Sequence, residues 1–162
     1  MRRSFFFCKL AAMMNPFATP AMAQGYAGRR PPVHGRGMER AARALGWRGR
    51  FRRAVDGGCG AGISTRALSG WTEQAIGVEP AVGMLGADAA VAPGAWFVAG
   101  EAERLPLAAG SCDLMTAAAS LNYADVERFF PEARRVLAEG GWLLVYDFSP
   151  GRRFRQEGGR EE

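Results

Sequence analysis

The residues best equipped for chemistry fall in one stretch, Asp56-Gly57-Gly58-Cys59-Gly60-Ala61-Gly62, and in a single acid further along, Glu79. Gly58, Gly60 and Gly62 allow a tight turn and a close approach of backbone to ligand without Cβ contacts. A helix that follows such a turn offers unpaired N–H groups, so the segment suits a polar ligand. Glu79 stands 21 positions after Gly58, the spacing at which an acidic side chain accepts hydrogen bonds from a ribose. Asp56, directly before the turn, is poorly placed beside a pyrophosphate and well placed for an ammonium group.

Motif arithmetic narrows the ligand. A dinucleotide turn needs Gly or Ala three positions after its second glycine; in the two possible registers that position holds Ile63 or Thr65, which makes a nicotinamide cofactor the weaker choice. The phosphate-cradling pattern GxxxxGK[ST] does not occur. A nucleoside that carries an amino-acid end fits better. Cys59 reads as a small filler in the turn rather than a nucleophile. His34, the lone histidine, reads as a surface residue ahead of the first helix, with a base touching substrate as the alternative. With one histidine and no CxxC pair, no metal site is expected. Asn122 and Tyr123 could line an acceptor pocket.

These residues need elements to position them, and the chain alternates strand with helix, the rhythm of a parallel sheet covered on both faces. A helix is expected through Met38, Ala41, Ala42 and Leu45, with Glu39, Arg40 and Arg43 facing away. Strands are expected over 51–56, 74–79, 95–99, 112–118 and 142–148. Helices are expected from about Ser64 to Leu68 and from Ala81 to Ala89. Val126, Phe129, Phe130, Ala133, Val136 and Leu137 mark a further helix or pair of turns, with Pro131 able to begin a new turn and Gly140-Gly141 to stop it. The run from Trp142 is the most apolar and reads as a strand buried on both faces.

At 162 residues, 48% of them hydrophobic, the chain is sized for one domain with a real core. Basic residues outnumber acidic by 21 to 16, and Lys9 is the only lysine. The arginines are scattered along the sequence without interleaved aromatics, so no nucleic-acid partner is expected. Cysteines 8, 59 and 112 are odd in number and form no closed framework, which points to a reducing, cytoplasmic compartment. Residues 1–13 read as an upstream extension or leader: Arg2 and Arg3 precede an apolar run, but Lys9 interrupts it and Asn15-Pro16 ends it, so no membrane partner is expected. The expected organisation continues with a helical cap over 14–49, a cofactor-binding core over 50–150 and a polar, disordered tail over 151–162.

Four segments in order resemble class I S-adenosylmethionine-dependent methyltransferases, in particular the type 11 small-molecule branch: VDGGCGAGISTRAL (55–68), IGVEP (76–80), GEAERLPLAAGSCDLMTAAASLNYAD (100–125) and ARRVLAEGGWLLV (133–145). The resemblance covers about residues 15–150. It implies a three-layer α/β Rossmann-like sandwich with a mostly parallel sheet. It also implies S-adenosyl-L-methionine as cofactor and a small-molecule methyl acceptor. By position, Asp56 with Gly58, Gly60 and Gly62 would hold the methionine end and Glu79, followed by Pro80, the ribose hydroxyls. Glu101-Ala102 would read the adenine edge, and Ala118 would lie beneath the cofactor. Tyr26 and Arg30 would close over the site. Where the family commonly has Asp, this chain has Glu101. The family's C-terminal antiparallel hairpin has no counterpart here, so the expectation is a methyltransferase cut short after strand five, with an exposed edge available for self-association. A catalytically inactive cofactor-binding fragment and a nicotinamide-dependent oxidoreductase are the alternatives.

Overall fold

The computed structural model describes residues 33–85 and 88–147. The expected leader, the first part of the cap with Tyr26 and Arg30, and the polar tail lie outside the described residues.

Five strands form one sheet in the order β3-β2-β1-β4-β5: β1 Phe51–Gly57, β2 Thr72–Glu79, β3 Trp96–Ala99, β4 Cys112–Ala118 and β5 Leu137–Tyr146. Every neighbouring pair is parallel. Helices α1 (Val33–Leu45) and α2 (Ile63–Leu68) cover one face, where Met38 and Leu68 pack on Ala54, Ala75 and Leu114. On the other face α4 (Val126–Val136) sets Phe129, Ala133 and Val136 against Val55, Ile76, Val78, Met115 and Ala117. A short α3 (Asp88–Val91) precedes β3. This is the three-layer α/β arrangement the sequence implied. Strand order reverses between β1 and β4, and in such sheets ligands bind outside the carboxyl ends of the strands at that reversal.

Several expectations change. Of the segment expected as a helix over 81–89, residues 82–85 form turns and α3 is present from Asp88. His34 does not precede the first helix on the surface; it is that helix's second residue and is 7% exposed. Helix α4 runs unbroken through Pro131, so it forgoes one amide bond rather than restarting. Its N-terminus is capped by Asp125, whose carboxylate accepts from the amides of Glu127 and Arg128. Gly140-Gly141 do not stop that helix. They lie inside β5, which starts at Leu137, and Gly140 has φ of 74°, a value glycine reaches without Cβ strain. A register shift between Cys112 and Leu114 absorbs the irregularity. Strand β5 is also not buried on both faces: Trp142 and Val145 are exposed.

Candidate functional site

The β1–α2 turn takes its shape from three left-handed glycines, Gly58 (φ 72°), Gly60 (φ 54°) and Gly62 (φ 80°). The direction of its amides differs from what a ligand-gripping turn suggests. The Gly58 and Cys59 amides both donate to the Val78 carbonyl, at 2.8 and 3.1 Å. Gly60 N donates to Glu79 Oε2 at 3.0 Å, and Gly62 N to the Cys59 carbonyl at 3.0 Å. Four of the five amides from 58 to 62 therefore serve the protein itself. The turn is stitched to the end of β2, and a phosphate would find few donors there.

Glu79 is the other half of that stitch. Its Oε1 accepts the Ala81 amide at 2.9 Å while Oε2 holds Gly60, and the side chain is 9% exposed at the carboxyl end of β2. A carboxylate has about four acceptor directions. Two are used here, which leaves room for a pair of hydroxyl donors. The chemistry of this donor set fits a nucleoside whose ribose donates two hydroxyls and whose charged end is an ammonium seeking carbonyls. It fits a pyrophosphate poorly.

Asp56 occupies a different environment. It is fully buried and accepts three hydroxyls: Ser64 Oγ (2.6 Å) and Thr65 Oγ1 (2.8 Å) on Oδ2, and Thr116 Oγ1 (2.9 Å) on Oδ1. Burial pushes its carboxyl up from the ordinary aspartate value. The three hydroxyls oppose that shift, and the charge of Glu79 adds to it. This carboxylate ties β1 to α2 and β4 and fixes where the turn begins.

The segment after β3 joins the site through Gly100 N, which donates to the Glu79 carbonyl at 3.2 Å. Glu101 that follows is exposed, and Ala102 is buried beneath Gly57. Pro80 is exposed beside Glu79. From the other side comes the corner after β4. Ala118 is half-buried and paired with Tyr146, and Ala119 N donates to the Tyr146 carbonyl at 2.8 Å. Ala119 has φ of 54°, the only non-glycine residue with positive φ among those described. A strained backbone of this kind persists only where its surroundings enforce it. Ser120 next to it donates to the Gly57 carbonyl at 2.8 Å and sits over Gly58. Asn122 Nδ2 donates to Asp147 Oδ2 at 3.1 Å, and Tyr123 is largely exposed.

The fold thus gathers Gly58, Gly60, Gly62, Glu79, Pro80, Glu101, Ala102 and Ala118 along one edge and sets Asp56 behind them. Sequence reasoning missed Ser64, Thr65, Thr116, Ser120 and Tyr146. A buried carboxylate requires donors, and the Ser64-Thr65 pair one turn into the helix is a signal that could have identified two of them. Tyr146 at the end of β5 bonds His34 Nδ1 through its hydroxyl at 3.2 Å, with the rings edge to face.

A family model described as "Methyltransferase domain" matches residues 55–145. Among individual proteins, the chain is 30% identical over 95 residues to a Dictyostelium discoideum protein named as a methyltransferase, covering 59% of this chain and 36% of that one. It is 35% identical over 97 residues to an uncharacterized methyltransferase of Mycobacterium tuberculosis, covering 59% and 40%. The chain spans about two fifths of the length of these curated relatives. Among solved structures, an S-adenosylmethionine-dependent methyltransferase from Mesorhizobium loti superposes with a TM-score of 0.55 at 27% identity, over 67% of this chain and 52% of that one.

Proposed function

Since the chain belongs to the methyltransferase domain family, whose methyl donor is S-adenosyl-L-methionine, we propose that it transfers a methyl group from that cofactor to a small-molecule acceptor. The observation that supports this reading best is the inward-turned glycine turn beside Glu79. It leaves a carboxylate for ribose hydroxyls and few amides for phosphate, which also argues against a nicotinamide dinucleotide.

When bound, the cofactor supplies an already activated methyl group on its sulfonium, so transfer depends on alignment and exclusion of water. In the proposal Glu79 accepts both ribose hydroxyls and Pro80 flanks them. The backbone at Gly58, Gly60 and Gly62 bounds the methionine end, Glu101-Ala102 read the adenine edge, and Ala118 forms the floor. Asp56 acts through Ser64, Thr65 and Thr116 as a positioning residue. Tyr26 and Arg30 are assigned the closing role on resemblance. The acceptor is assigned to the corner of Ala118, Asn122 and Tyr123 at the end of β4.

Two further assignments belong to the proposal. The cytoplasm is the proposed compartment, in keeping with three cysteines, an odd number that closes no disulfide framework. Self-association is proposed at the outer edge of β5, where Trp142 and Val145 are exposed; sedimentation velocity on the full chain and on Val145→Lys tests it. Transfer of labelled methyl groups into a panel of small metabolites, lost in Glu79→Ala, tests the activity. Heat on titration with S-adenosylhomocysteine together with no transfer to any panel member would assign the chain to the binding-only alternative.

A further inference from the structure

An ion pair between surface side chains one helical turn apart contributes little by itself. On α4, Glu132 and Arg135 form such a pair, with Arg135 Nε and Nη2 each 2.7 Å from a carboxylate oxygen of Glu132. Their remaining hydrogen bonds go to a different segment. Glu132 Oε1 also accepts the Leu105 amide at 2.7 Å, while Arg135 donates to the Leu105 carbonyl at 3.1 Å and the Leu107 carbonyl at 2.9 Å. Both backbone groups of Leu105 are thereby bound by one guanidinium–carboxylate unit through charge-assisted bonds, and the Leu105 side chain is buried.

The held segment is the one that runs along the edge of the site. Between Leu105 and Leu107, Pro106 folds back on Gly100: a Cβ added at Gly100 would lie 2.9 Å from Pro106 Cδ. The Gly100 amide donates in turn to the Glu79 carbonyl at 3.2 Å, and the Arg104 amide closes the loop onto the Glu101 carbonyl at 3.1 Å. Fastening Leu105 and Leu107 to α4 therefore fixes where Glu101 and Ala102 stand beside Glu79. A second tie joins the same loop to the start of that helix, since Glu103 Oε1 accepts the amide of Asp125, the N-cap, at 2.7 Å. Asn122 and Tyr123 lie just before the cap. One helix thus holds both the segment assigned to the adenine edge and the corner assigned to the acceptor.

We propose that Glu132 and Arg135 are positioning residues for the cofactor: acting through the backbone of Leu105 and Leu107, they hold the 101–107 loop in the arrangement that receives the adenosine half. Neither side chain needs to touch the ligand. Without the pair the loop spends part of its time in other positions, and apparent affinity falls with the fraction that remains competent. The proposal rests on the S-adenosyl-L-methionine reading and extends it to residues behind the site.

The test is calorimetric titration with S-adenosylhomocysteine of the full chain and of Glu132→Ala, Arg135→Ala and Glu132→Gln, with hydrogen exchange of residues 101–107 followed in parallel. Each alanine variant should bind about tenfold more weakly, the effect of a lost charge-assisted hydrogen bond. Exchange in the free loop should quicken in both, and the ligand should slow it again. Glu132→Gln keeps an acceptor for the Leu105 amide and should recover most of the affinity. Thr72→Val is the control for stability alone, because Thr72 bonds the Phe51 and Gln74 carbonyls at the opposite end of β2 from Glu79. It should melt lower and bind as the wild type does. Wild-type affinity in both alanine variants, or an equal loss in Thr72→Val, would overturn the proposal and leave the cofactor reading in place. A wild-type chain that gives no heat with S-adenosylhomocysteine would overturn both.

Discussion

Ser120 stands directly over Gly58: a Cβ added at Gly58 would fall 2.5 Å from Ser120 Cβ, while the Ser120 hydroxyl is bonded to the carbonyl of neighbouring Gly57 at 2.8 Å. The turn and the corner after β4 are therefore fitted to each other. Gly58 is constrained twice, by this contact and by its φ of 72°. Gly58→Ala is expected to cost about 3 kcal/mol of stability from combined strain and overpacking. Gly58→Ala/Ser120→Gly should recover part of that, since the second change removes the clashing carbon and leaves the backbone strain. Chemical denaturation of the two single variants and the double measures the coupling. Simple additivity would show that the contact carries no energy.

Asp56 gives a pH prediction with a definite sign. Its folded carboxyl is raised above the ordinary value of 3.8, chiefly by burial, so the folded chain holds this proton more readily than the unfolded chain. The stabilising contribution is full below the unfolded value and is lost as pH rises through the folded one. Asp56→Asn should remove that decline, visible as a melting-temperature difference from the wild type that shifts in the variant's favour as pH rises from mildly acidic to neutral. Asp56→Ala should cost on the order of 3 kcal/mol, because the hydroxyls of Ser64, Thr65 and Thr116 lose their shared acceptor. A wild-type profile parallel to that of Asp56→Asn would contradict the assignment.

The contrast between what could and could not be read from sequence follows from particular residues. Strand β4 was legible to the residue, because Cys112–Ala118 lies largely buried between two helical layers and is apolar apart from Asp113 and Thr116. The turn and Glu79 were legible from glycine spacing and distance along the chain. The amide directions were not: glycine reports that a backbone can bend, whereas the carbonyl of Val78 and the carboxylate of Glu79 decide where its N–H groups point. The start of β5 was hidden because Gly140-Gly141 carry the signature of a stop signal, and only the pairing of Leu137 with Cys112 shows the strand already under way. The early helix expected over 81–89 failed where Met84 is held in a turn by its amide bond to the Ala81 carbonyl. His34 was misplaced because a polar residue near a helix start usually faces water, and its partner Tyr146 lies 112 residues away.

That partnership supplies a third prediction. Burial, with the Asp56 charge adding to it, pushes the Tyr146 phenol well above the usual tyrosine range. An acid whose folded value is raised contributes stability at neutral pH that is lost as pH climbs past its unfolded value. Tyr146→Phe should lower neutral stability by about 1 kcal/mol through loss of the bond to His34. It should also soften the alkaline fall in stability. Denaturant midpoints at neutral and alkaline pH check both, and an unchanged alkaline fall would contradict the second.

The most direct measurement is calorimetric titration of the folded chain with S-adenosylhomocysteine, with NADH as the parallel arm and Glu79→Gln and Glu79→Ala as variants. The account predicts saturable heat with S-adenosylhomocysteine and none with NADH. It also predicts about a hundredfold loss or more in Glu79→Ala, since two hydroxyl bonds to a charged acceptor disappear, with a smaller loss in Glu79→Gln. A folded chain that binds NADH instead, or that binds S-adenosylhomocysteine equally well with and without the Glu79 carboxylate, would contradict it.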